Sequence, residues 1–77
     1  MDRALLLEHR ERTVWRLAES VKLLARQEAL IERLHGAGRS TTDAEAFLSV
    51  FQLVHDAHRN GLARIDRALA APSLPLD

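Results

Sequence analysis

The residues best suited to chemistry are His55 and His58, three apart with Asp56 between them. On a helix, that spacing turns two imidazoles to one side, where they can share a metal ion. A symmetric pair of chains would supply four. Zinc-type sites need three or four ligands, and no third ligand accompanies these two. The pair therefore reads first as half-buried histidines bonded to polar neighbours such as Ser20, Gln27 or Glu28. No metal or other cofactor is assigned. No nucleophile, histidine and acid are spaced as a catalytic set, and no glycine-rich loop follows a strand. Gly36 and Gly38 precede a helix start and could offer amides to an anion, but turn chemistry accounts for them. The expectation is a protein that is not an enzyme.

A second candidate is Trp15, with Glu11, Arg12 and Glu19 at three- and four-residue steps and Arg26 and Arg33 further along. An exposed indole among arginines can stack on a base or anchor a protein partner. Trp15, Arg12, Arg26 and Arg33 form the candidate partner surface. The charge balance argues against nucleic acid. Eleven basic residues, ten of them arginine, meet eleven acidic ones, and Glu8, Glu11, Glu19 and Glu32 dilute any positive field. With no cysteine in the chain, disulfides and thiolate metal sites are excluded. No apolar run reaches bilayer length, and Leu5-Leu6-Leu7 is too short for a signal-peptide core. These features point to a cytoplasmic protein with no membrane partner.

Two helices must position these residues. From Arg3 to His35 there is neither proline nor glycine, and helix formers dominate. Leu7, Val14, Leu17, Val21, Leu24 and Ile31 recur at threes, fours and sevens, a stripe that faces a partner helix. Asp2 suits the positive end of the helix dipole, and Gly36 suits a left-handed C′ position. The short link over 36–41 favours antiparallel neighbours. Thr42 and Glu45 have capping-box spacing, with Thr41 an alternative cap. The second stripe runs Ala44, Phe47, Leu48, Phe51, Val54, His55, His58, Leu62, Ile65 and Leu69. It keeps phase across Asn60-Gly61, which predicts one continuous helix despite a glycine costing about 1 kcal/mol against alanine. Close approach of another backbone would explain that glycine. Pro72 stops the helix at or before Ala71. One all-α domain over 1–71 is expected, with helices at about 3–35 and 42–71 and a loose tail over 72–77.

Seventy-seven residues struggle to bury enough apolar area for an independent fold. Leu5, Leu23, Leu30 and Leu34 form a second apolar arc on the first helix, matched by Val50, Ala57, Gly61 and Ala68 on the second. Each helix can therefore touch two neighbours, which predicts a homodimeric four-helix bundle. Two antiparallel copies of helix 1 suit each other when facing numbers sum to 38. Leu7 then faces Ile31, Arg10 faces Glu28, Val14 faces Leu24 and Leu17 faces Val21, about a two-fold axis near residue 19; the alternative is that the long Arg10 and Glu28 side chains reach past the stripe edge to solvent.

From residue 26 to 58 the chain resembles a group of very short bacterial helical-hairpin proteins. The pattern here is Arg26-Gln27, Ile31, Leu34, Gly38, Thr41-Thr42, Ala44, Phe47-Leu48, Phe51 and His58. The resemblance implies a hairpin and no particular activity. By architecture alone the chain is also similar to the Rop-type antiparallel dimer of hairpins, which binds paired RNA loops. Fold does not set function. The expectation is a non-enzymatic interaction or regulatory module acting as a homodimer. The alternatives are an RNA-binding dimer of Rop type and a metal-binding bundle through His55 and His58.

Overall fold

A computed structural model describes residues 2–71. It is a helical hairpin, with α1 over Arg3–Gly36 and α2 over Thr42–Ala70 and no strand among the described residues. The loose tail expected over 72–77 lies outside them.

Asp2 is the N-cap of α1, its carboxylate accepting from the Ala4 amide at 3.0 Å. The other end corrects the sequence reading. Gly36 is the last helical residue, and the left-handed residue is Gly38, at φ 69°. Gly38 N donates to His35 O and Arg39 N to Leu34 O, the two bonds of a Schellman motif with Gly38 at C′. The capping box is also absent. Thr42 already lies inside α2, and Thr41 is the N-cap without a side-chain bond. The Glu45 amide bonds the Thr41 carbonyl instead, at 2.8 Å. α2 runs unbroken through Asn60-Gly61 and ends with Ala71 in the extended conformation that a following proline demands.

The seam between the helices uses two rows on each, seven residues apart along a row. On α1 these are Leu6, Thr13, Ser20, Gln27 and Leu34, and Arg10, Leu17, Leu24 and Ile31. On α2 they are Ala44, Phe51, His58 and Ile65, and Leu48, His55, Leu62 and Leu69. Every one of these residues is buried or half-buried, although the Arg10 side chain reaches out to solvent. The seam is thin and polar. Thr13 and Ser20 are among its most buried members, at 4% and 5% exposure. Each turns its hydroxyl back on its own helix, to His9 O and Leu17 O, both at 2.8 Å. Two part-buried bonds cross the seam, Ser20 Oγ to His55 Nδ1 at 2.7 Å and Gln27 Nε2 to Ala44 O at 2.8 Å, and two exposed ones join the helices nearer the open end, from Arg10 to Asp66 and from Arg3 to the Leu69 carbonyl. Among the described residues no buried side-chain nitrogen or oxygen lacks a partner, yet no side chain is fully buried. A bond of this kind adds about 1 kcal/mol net, less than a fully buried leucine at about 1.5–3 kcal/mol.

Candidate interaction surfaces

Two contacts fix which rows share a flank. Arg10 Nε meets Asp66 Oδ1 at 2.7 Å. This places the row Glu45, Gln52, Arg59, Asp66 beside the α1 row Leu7, Val14, Val21, Glu28. On the opposite flank an open groove is lined by Leu6, His9, Gly61, Arg64, Ile65 and Ala68. Here the α1 row His9, Arg16, Leu23, Leu30 lies beside the α2 row Phe47, Val54, Gly61, Ala68.

Flank identity sorts the charges. Arg12, Arg16, Arg26, Arg33 and Arg64 lie on the groove flank with Glu19 and Asp43, whereas Glu11, Glu28, Glu32, Glu45, Asp56 and Asp66 lie on the other with Arg59. A chain with no net charge thus presents one basic side and one acidic side. Neutral composition hides this polarity, which arises because the charges segregate by row along both helices.

The eight residues of the expected helix 1 pairing do not form one free face. Leu17, Leu24 and Ile31 are half-buried against α2, whereas Leu7, Val14, Val21 and Glu28 are exposed one row away. Arg10 has a partner within its own chain, the Asp66 carboxylate. That hydrogen bond first, and the opposite charge second, raise the guanidinium pKa above its usual value. Because the shift is upward, the contribution is intact below the ordinary arginine pKa and fades only above it. A trans pair with Glu28 would have to break it.

Trp15 stands 65% exposed on the side of α1 away from α2. With Glu8, Glu11, Arg12 and Arg16 it lines a shallow depression. The structure thus groups Arg12 with the indole and adds Arg16, which the sequence reading passed over. It leaves Arg26 and Arg33 eleven and eighteen residues on, roughly 16 and 27 Å along the axis.

His55 and His58 are both half-buried on the seam. Ser20 has one proton, and when it goes to Leu17 O the hydroxyl accepts from a protonated His55 Nδ1. Among the described residues no three His, Cys, Asp or Glu converge as a metal-binding group. Nor is any described helix long and apolar enough to cross a membrane.

Many apolar side chains are open to solvent. Besides Trp15 they include Leu5, Leu7, Val14, Val21, Leu23, Phe47, Val50, Leu53 and Val54, all more than 40% exposed. Five of these lie on or beside the turn-proximal half of the groove flank: Leu23, Phe47, Val50, Leu53 and Val54. No family model, curated protein or solved structure matches this chain.

Proposed function

We propose that the chain is a non-enzymatic protein-interaction or regulatory module that works as a homodimeric helical bundle. One observation carries this reading: hydroxyl-bearing Thr13 and Ser20 are buried while Phe47, Leu53 and Trp15 are 60–70% exposed. A monomer rarely leaves a contiguous apolar surface uncovered, and a chain of this size gains stability by mass action when copies associate. Arg26 to His58 carries the proposed kinship with the short bacterial hairpins. Two members of that pattern close the turn, Gly38 through its positive φ and Gln27 through its bond to Ala44. Kinship of this kind speaks to fold first. Sedimentation equilibrium at micromolar concentration tests the proposal. A mass twice the 8.7 kDa of the chain is expected, and a single-chain mass would end it.

The arginines of the groove flank favour a second reading, a Rop-like RNA-binding dimer. It predicts that bulk RNA retards the protein in a gel and that added salt releases it. Retention that ignores salt would discard it. A bundle binding metal through His55 and His58 would need further ligands from a partner subunit, and zinc would then raise the melting temperature.

A further inference from the structure

Resting on the self-association just proposed, the packing also names the face that would carry it. We propose that two hairpins dock through the outer stripe of α2, antiparallel, about a two-fold axis at Val54.

The starting point is Gly61. It lies mid-helix without a positive φ, and a Cβ built there meets nothing within 4 Å. Nothing inside the hairpin requires glycine, although glycine weakens a helix. Phe47 poses the opposite problem on the same row, fourteen residues earlier, with 60% of its surface exposed. One end of the stripe has a knob without a hole. The other end has a hole without a knob, an open groove of about 280 Å³ beside Gly61 and Ala68.

An antiparallel two-fold matches them. With Val54 against Val54 of the partner subunit, level residues have numbers that sum to 108, so Phe47 meets the partner's Gly61. On the neighbouring row Val50 and the partner's Ala57 lie one residue, about 1.5 Å, off level. Asp43 and the partner's Arg64 are offset by the same step at the ends, where the charges are opposite. The parallel arrangement puts Phe47 on Phe47, Gly61 on Gly61 and like charges on like. Only the antiparallel one fits.

The Ser20–His55 bond sets Val54 level with residues near 20 of α1, about midway along the hairpin. Leu23 and Leu30 border the same flank, while Arg12, Arg16, Arg26 and Arg33 repel their counterparts there. Contact therefore centres on α2. Each copy uses the same face, so assembly closes at two.

The chain has no cysteine, so a single introduced thiol is an unambiguous reporter. Oxidised Val54→Cys is expected to form a covalent dimer. Leu53→Cys, turned outward, and Ser49→Cys, on the acidic flank, are expected to stay monomeric on denaturing gels. Gly61→Leu fills the hole while favouring the helix, and is expected to weaken self-association roughly tenfold or more with helix content kept. Asp43→Arg and Arg64→Asp should each weaken it, and the double swap should restore it. A Gly61→Leu protein that dimerises as tightly as the parent, together with no Val54→Cys disulfide, overturns this face and leaves self-association standing. A parent chain found monomeric removes both.

Discussion

The seam between α1 and α2 and the outer stripe of α2 are near inversions of each other. The seam is the most buried region, yet Thr13, Ser20, Gln27, His55 and His58 occupy five of its positions. The outer stripe is open to water, yet Phe47, Val50, Val54, Ala57 and Gly61 carry no charge and no hydrogen-bonding side chain. Burial in one chain and hydrophobicity have come apart. Hydrophobic gain scales with apolar area removed from water, so the seam alone is a weak source of stability. The hairpin is held in register by directional bonds, Ser20 to His55 and Gln27 to Ala44. The larger apolar gain is the one that the proposed encounter between copies would supply.

The contrast can be broken by substitution, beginning where the effect is greatest. Ile65 is one of only three buried apolar residues of the seam among the described ones. Ile65→Ala is expected to destabilise by about 2–4 kcal/mol in a denaturant titration; a loss below about 0.5 kcal/mol would mean the seam is not the core. Next comes the stripe. Phe47→Ala removes a side chain that touches little within its own chain, so a monomer would lose almost nothing. In the docked pair it is expected to cost about 1.5–3 kcal/mol per subunit, read as a fall in melting temperature that fades on dilution. Equal loss at every concentration would tie Phe47 to its own hairpin.

The polar rungs sharpen the comparison further. Ser20→Ala strips His55 of its bond and is expected to cost about 1 kcal/mol. Ser20→Ala with His55→Leu removes both partners and should recover that loss or exceed it. A double-mutant cycle with no coupling would show the 2.7 Å contact to be idle. The smallest effect belongs to Arg10→Met. The Arg10–Asp66 pair is solvent-exposed on both sides, and exposed pairs contribute little. No resolvable shift in thermal melting is expected, and a clear one would give that bridge a structural role.

Much of the hairpin was legible because its signals are local and strong. A proline- and glycine-free run, a short glycine-bearing link and a stripe in phase across Asn60-Gly61 sufficed for both helices. The division of α1's stripe was not. A search for apolar periodicity follows Leu7, Val14 and Val21, and passes over Thr13, Ser20 and Gln27, whose polar atoms disguise a seam row. Those residues are buried because their hydrogen bonds close locally or on α2, which no hydropathy pattern records. The same limit explains Gly36 and Gly38. Both fit a C′ position by type, and the choice depends on where α1 runs out of carbonyl partners. Trp15 was found from its isolation among charges. Arg16, its neighbour in space, carried no signal beyond its charge. The basic and acidic flanks emerge only when the two helices are laid side by side.

Thermal unfolding followed by circular dichroism across a hundredfold range of chain concentration bears most directly on the claim that the apolar core is completed between copies. Association predicts a midpoint that climbs steadily with concentration, with helix lost as the pair dissociates. A midpoint that stays fixed from the most dilute sample to the most concentrated would contradict it.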